Sequence, residues 1–320
     1  MAAMEDYPLS LSEFEKQFGT DEQCWQYLFR LRWPDGFICR RCGGTLAWRS
    51  KRDRLVCASC QYQSSVTAGT IFQDTHKPLR LWFRAIWCVT SQKTGASALG
   101  LQRVLGLGSY RTAWTWLHKL RRAMVRPGRD RLSGQIDVDE TYWGSKEAAR
   151  QGREHGNKSM IVVAAQQDGK KIGRIRMRRV PDASAKSLHA FVMESIEPGS
   201  AVYTDGWAGY AGLDAKGYVH RPAKQGRLDI VGAEEDLLPR VHRVVSLLKR
   251  WMLGTHQGAI SSEHLDYSLD EFTFRFNRRT SRHRGKLFYR LVQQAAQVHP
   301  APYSTLVRHA RGRKPEDHKI

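Results

Sequence analysis

The chain has 320 residues, 41% hydrophobic and 10% aromatic, enough apolar material for two or three cored domains and too much for wholesale disorder. Lys and Arg outnumber Asp and Glu by 52 to 31, a formal charge of +21, so the molecule needs an anionic partner; nucleic acid leads, and a simply basic or ribosome-associated protein is the alternative. No apolar run of about 18 residues is present and the opening MAAMEDYPLS is acidic and polar, which speaks against a membrane span or secretory signal and for a cytoplasmic, DNA-associated location.

In chain order, the first feature is Cys39-Arg-Arg-Cys42, then fourteen residues, then Cys57-Ala-Ser-Cys60. Two C-x-x-C knuckles at this separation fit four thiolates around one tetrahedral Zn2+; a redox pair would leave the matched second pair unexplained. GGTLAWRS and DRLVCASC predict two short strands between and beside the knuckles. Cys24 and Cys88 sit in apolar helical runs and read as core residues. Arg40, Arg41, Arg49, Lys51, Arg52 and Arg54 suit phosphate contact or a plainly solvated basic face. Residues 1–75 form this N-terminal segment.

Residues 76–126 predict helices. HKPLRLWFRAIWCV starts one near Pro78, residues 97–105 form a second, and 110–125 a third with Trp114, Leu117 and Leu120 on its apolar side. GLGS at 106–109 is a turn in which Ser109 is placed to cap the third helix. Two helices joined by a short Gly-containing turn describe a helix-turn-helix, or else an ordinary α-hairpin. In the first case the DNA-reading face carries Tyr110, Arg111, Thr112, Thr115 and His118. RPGRDR at 126–131 is a basic linker and marks the main boundary.

From 127 to 298 the pattern turns to strands and helices. GQIDVDETYWG alternates, with Asp137 and Asp139 on one face and Ile136 and Val138 on the other. SMIVVAAQQDGKKIGRIRMRRV predicts a hairpin turning at Asp168-Gly169, residues 184–196 a helix started by Ser184, AVYTDGWAGY a strand running into Asp205, and 217–220 a further strand. Two strands that end in Asp, in this order, predict an α/β domain of the RNase H-like kind, a mixed sheet flanked by helices. There the carboxylates hold divalent metal, Mg2+ or Mn2+; simple Asp turns are the alternative. After Pro239 the apolar positions Val241, Val244, Val245, Leu248 and Met252 mark one helix face, and His242, Ser246 and Lys249 the opposite one. LDEFTFRF predicts an amphipathic helix, and FRFNRRTSRHRGK after it is a basic run suited to DNA backbone, with Arg275, Asn277, Arg278 and Arg279 as its contacts. Trp143 and Trp207 follow the two Asp positions and suit either base stacking or core packing. Residues 299–320 form a basic tail.

The paired cysteine knuckles, DVDETYWG, VYTDGWAGY, VHRVVSLLKRWMLGTHQG and LDEFTFRFNRR, in this order, resemble bacterial insertion-sequence transposases of the ISXO-like family, over roughly residues 15–298. The resemblance implies a zinc ribbon ahead of a DDE-type catalytic domain. It also implies binding of double-stranded DNA at transposon inverted repeats and at the target, metal-dependent cleavage, transfer of 3′-ends, and a dimer or larger assembly to pair two ends. By position, Asp139 matches the first catalytic Asp and Asp205 the second. Where much of the family has a Glu, seven residues before the Lys249-Arg250 pair, this chain has His242, so the resemblance implies D-D-H followed by Lys249, with Arg250 on DNA. His242 then serves as a metal ligand or positions substrate. Glu234, Glu235, Asp236 and Glu271 are the other acids near enough in sequence to supply a third carboxylate. A DNA-binding relative without chemistry, and a nuclease without strand joining, are the other readings.

Overall fold

The computed structural model describes residues 6–126, 128–144, 158–222, 238–258 and 260–308. The chain divides into two compact units: one runs to Arg126 and resumes at Thr280, the other ends at Arg279.

The first unit opens with α1 (Leu11–Gln17) and α2 (Asp21–Arg32). A reciprocal cap starts α2: the Gln23 N–H donates to the Thr20 hydroxyl and the Gln23 side chain accepts the Thr20 N–H, which satisfies two otherwise orphaned donors. Strands β1 (Ala47–Arg49), β2 (Arg54–Cys57) and β3 (Gln63–Ser65) then form an antiparallel sheet in sequence order. Three helices follow, α3 (Leu79–Ser91), α4 (Ala98–Leu105) and α5 (Tyr110–Ala123). Gly106 takes φ 63°, a left-handed conformation that ends α4 without side-chain strain. Ser109 stands at the cap position just before α5, but its side chain makes no capping bond there.

The second unit is built on a five-stranded mixed sheet. Its strands are β4 (Gln135–Trp143), β5 (Ser159–Asp168), β6 (Lys171–Val180), β7 (Ala201–Thr204) and β8 (Val219–Pro222), in the order β6-β5-β4-β7-β8. β4, β5 and β6 pair antiparallel, whereas β7 lies parallel to β4 and β8 parallel to β7. Helix α6 (Ala185–Ser195) covers one face, where Leu188, Phe191 and Val192 meet Ile136, Val138, Val162 and Val202. Helices α7 (Pro239–His256) and α8 (Leu265–Phe276) cover the other, where Val241, Val244, Leu248 and Phe272 meet Ile161, Val163 and Met177. Burial on both faces explains the unbroken apolar run of β5. The predicted mixed sheet flanked by helices is therefore present.

Helices α9 (Gly285–Ala295) and α10 (Tyr303–Arg308) belong to the first unit. A catalytic domain extending to 298 does not describe this arrangement. Phe288 is fully buried among Phe14, Phe18, Phe83 and Trp87, so residues 280–298 complete the N-terminal core.

Candidate functional site

The cysteines Cys39, Cys42, Cys57 and Cys60 bring their Sγ atoms within 4.8 Å of one another. Cys39 Sγ lies 3.7 Å from Cys60 Sγ and Cys42 Sγ 3.6 Å from Cys57 Sγ. Four Zn–S bonds of about 2.3 Å at tetrahedral angles require S···S edges of about 3.8 Å, so the cluster fits Zn2+. Each knuckle is closed by its own backbone, the Gly43 N–H donating to Cys39 O and the Gln61 N–H to Cys57 O. The backbone N–H groups of Cys60 and Ser59 draw the Cys57 thiol down to about 6, toward the thiolate that a metal takes. Burial does the reverse at Cys24, pushing its thiol up to about 12, as a core residue requires.

Two ribbon arginines are engaged within the protein. Arg49 stacks over Trp25 at 3.9 Å and pairs with Glu22 and Asp53, each at 2.8 Å. The Arg40 guanidinium lies directly on the backbone of Gly69, where a Cβ would meet it. Arg41, Lys51, Arg52 and Arg54 are exposed.

The second site grows out of β4. Its register against β7 sets Asp137 opposite Tyr203, and Asp205 is the first residue past the end of β7, so Asp139 and Asp205 stand level. Asp137 is 1% exposed and is an anchor: it accepts from Arg240 Nη1 at 2.8 Å and from the Arg240 N–H in the first turn of α7. Burial raises its carboxyl, and Arg240 opposes that shift. The anchor fixes His242 two residues further on, with Nε2 3.2 Å from Asp139 Oδ2. The other Asp139 oxygen accepts the Glu140 N–H at 2.8 Å. Asp205 is exposed and accepts the Trp207 N–H at 2.9 Å, which fixes it in a tight turn.

Glu140 joins the two aspartates: one oxygen from each of Asp139, Glu140 and Asp205 lies within 4.8 Å of the other two. Two carboxylates at that distance repel by roughly 3–4 kcal/mol at an effective dielectric constant of about 20. Burial raises the Asp139 carboxyl, with Asp205 adding to the shift and His242 opposing it. Glu140 is raised to about 7, first by burial and then by its acidic neighbours, against the Tyr210 hydroxyl beside it. Crowded hard oxygens short of positive charge fit Mg2+ or Mn2+. Sequence reasoning missed Glu140 because strand alternation turns it away from Asp139.

Lys249 and Arg250 are exposed on α7, and Lys249 shares the face of His242. Several other expected DNA contacts have partners within the protein. The buried stripe of α5 is Ala113, Trp116, Leu117 and Leu120, not the side marked by Trp114. His118 is 3% exposed, its ring 4.1 Å from that of Trp114, so it is closed to a DNA groove. Thr115 donates back to Arg111 O at 2.7 Å, and the exposed Arg111 stacks over Tyr303 at 3.8 Å. At the end of α8, Arg275 is buried on Glu271 at 2.9 Å, which also removes Glu271 as a third acid. Asn277 bridges the N–H and C=O of Ile175 at 2.7 and 3.1 Å. Arg278 lies over Phe274 at 4.0 Å, and Arg279 lies over Phe276 at 3.9 Å while donating to the carbonyls of Ile172 and Gly173. These side chains close the helix end onto edge strand β6. Trp143 and Trp207 brace loops through donors to Ile260 O and Ala183 O. Glu234, Glu235 and Asp236 lie outside the described residues.

Residues 131–277 match the ISXO2-like transposase domain, and residues 19–63 match the transposase zinc-ribbon domain. An uncharacterized protein in transposable element ISH50 of Halobacterium salinarum is 23% identical, over 81% of this chain and 92% of its own length. A DDE transposase domain implies an RNase H-like fold and a polynucleotidyl transferase. Among the described residues, no helix is long and apolar enough to cross a membrane.

Proposed function

With the ribbon and the transposase domain both in place, the chain belongs to the ISXO2-like insertion-sequence transposases, and from that premise we propose that it binds the inverted repeats of an insertion sequence, cleaves them and joins their 3′-ends to target DNA. The observation that carries this reading is the meeting of Asp139 and Asp205 at one height of the sheet, with His242 bonded to Asp139. These two carboxylates would hold the divalent metal, Mg2+ or Mn2+, which would supply Lewis-acid polarisation of the scissile phosphate and activation of the attacking hydroxyl.

The chain's own residues do the rest. Asp137 and Arg240 hold the start of α7 against β4, so that His242 stays within reach of the reacting centre. His242 orients Asp139 and stands where the family's third catalytic residue is expected. Its imidazole is a poor ligand for Mg2+, which favours a positioning role on the attacking or leaving oxygen. Lys249, two turns along the same face, takes a phosphate oxygen and stabilises the charge that builds there. Exposed Arg250, Arg111 and the ribbon residues Arg41, Lys51, Arg52 and Arg54 supply phosphate contacts along the duplex, with α4 and α5 as the helix-turn-helix that approaches it. Synapsis of two ends calls for a dimer or larger assembly on DNA.

The test is strand transfer by the purified full chain, with a labelled transposon-end duplex, a target plasmid and Mg2+ or Mn2+. Joined product that Asp205→Asn abolishes is expected. Tight end-binding with no cutting would make the chain a DNA-binding relic, and cutting without joining would make it a nuclease.

A further inference from the structure

We propose that Glu140 supplies the third carboxylate of the divalent-metal site, in place of the acid that α7 lacks. The inference rests on the reading of Asp139 and Asp205 as metal ligands. Helix α7 contains no Asp or Glu between Pro239 and His256, so no carboxylate can reach the site from it. Asp137 is held by Arg240, and Glu271 by Arg275. Among the described residues, the acid that joins Asp139 and Asp205 is Glu140.

The sheet explains how neighbouring residues of one strand reach the same point. Side chains at 139 and 140 leave β4 on opposite faces. Pairing of β4 with β7 covers Gln135 to Asp137, and β7 itself ends at Thr204. Above that level the β7 side of β4 is an open edge. Asp139 from one face and the longer Glu140 from the other turn round this edge toward Asp205. A carboxylate at position 140 therefore reaches the Asp139–Asp205 pair from the α6 side of the sheet, opposite His242.

A second observation points to the same spot. Tyr210 is 0% exposed, and its hydroxyl and Glu140 Oε1, both shut off from solvent, make no close hydrogen bond, although the hydroxyl faces the Glu140 carboxylate. Buried polar groups left open in this way call for a partner, and here the two lie together beside the acids. The hydroxyl lies beside the Glu140 carboxylate and feels all three acids. Asp139, Glu140 and Asp205 would together hold the cation, and the Tyr210 hydroxyl would be the donor that orients the Glu140 carboxylate.

The experiment is Mn2+ binding to the zinc-loaded full chain without DNA, followed by the Mn2+ electron paramagnetic resonance signal and by calorimetry. Glu140→Gln is expected to weaken Mn2+ binding at least tenfold, Glu140→Asp by an intermediate factor, and Asp205→Asn at least as much as Glu140→Gln. Binding by Glu140→Gln within twofold of the unaltered chain, while Asp205→Asn loses it, overturns the role of Glu140 and leaves the two-aspartate reading standing. Unchanged binding in Asp205→Asn overturns that reading, and the present inference with it. Zinc content and melting temperature are read on every variant. A Glu140 ligand predicts that metal-free Glu140→Gln melts no lower than the unaltered chain, because the substitution removes a crowded charge. If Glu140→Gln does not fold, Glu140→Asp decides, and undiminished Mn2+ affinity in that variant overturns the inference.

Discussion

The four thiolates of the ribbon come from two stretches of four residues each, and every knuckle is closed by a hydrogen bond from the residue that follows it. The carboxylate site draws on Asp139, Glu140, Asp205 and His242, which meet only because β4 and β7 are in register and Arg240 ties α7 to Asp137. The first cluster is a local object that needs its metal to hold a small sheet together. The second is held by the sheet whether or not metal is bound, and its crowding works against stability. On the proposed function, metal is thus part of the fold in one region and part of the chemistry in the other.

The sharpest way to break that contrast is to remove a thiolate. β1, β2 and β3 are three or four residues long and rest on a small cluster around Phe37 and Leu55, too little core to fold alone. Zinc binding contributes on the order of 10 kcal/mol to such modules. Cys39→Ser is expected to lose zinc and unfold the ribbon, seen as metal content per chain and as new protease cleavage near residues 47–65. One retained zinc per chain would contradict the assignment. Asp139→Asn should behave in the opposite manner: cleavage falls by a thousandfold or more, about 4 kcal/mol, while the melting temperature holds or rises. A fall of several degrees with cleavage intact would make Asp139 structural.

Both halves of this comparison were legible to different depths. The cysteine spacing carried the ribbon because its geometry is set within four residues. Strand alternation identified the face of Asp137 and Asp139, and helical periodicity identified the face of His242 and Lys249. Glu140 escaped because alternation assigns it to the far face, and only the end of β7 brings it back to Asp205. The basic run 275–279 had a second use that its sequence does not show. Arginine and asparagine at a helix end satisfy the carbonyls and amides of a nearby edge strand as well as they satisfy phosphate, and nothing in the sequence shows that β6 is that edge. His118 lies with the buried stripe of α5, beside Trp116 and Leu117, which helical phase alone did not show.

His242→Ala sharpens the catalytic half. Loss of a residue that orients Asp139 should lower cleavage by ten- to a hundredfold, about 1.4–2.8 kcal/mol, with end-binding unchanged. Unchanged cleavage would remove His242 from the mechanism. The crowding of the acids also sets a pH dependence. Glu140 has its carboxyl raised from 4.5 to about 7, so between these values the folded chain binds a proton that the unfolded chain has lost. Stability of the metal-free chain should therefore fall as pH rises from 4.5 to 7, by about 2 kcal/mol once residual solvent screening is allowed for. Asp139 adds in the same direction. Urea unfolding at pH 5 and pH 7.5 measures the difference, and Glu140→Gln should shrink it; an equal slope in that variant would place the proton elsewhere.

The smallest effect separates scaffold from DNA contact. Asn277 gives two hydrogen bonds to the backbone of Ile175, and its loss leaves an edge-strand N–H and C=O without that partner. Two such bonds stabilise by about 1–3 kcal/mol together. Asn277→Ala is expected to lower unfolding stability by that amount. End-DNA affinity should stay the same, and so should the slope of its logarithm against salt. Lys249→Ala should do the reverse, lowering the salt slope by about one counterion with no change in melting. If Asn277→Ala instead weakens DNA binding while the fold stays as stable, the residue reaches phosphate in the complex. The closure of α8 onto β6 would then be an arrangement that DNA displaces.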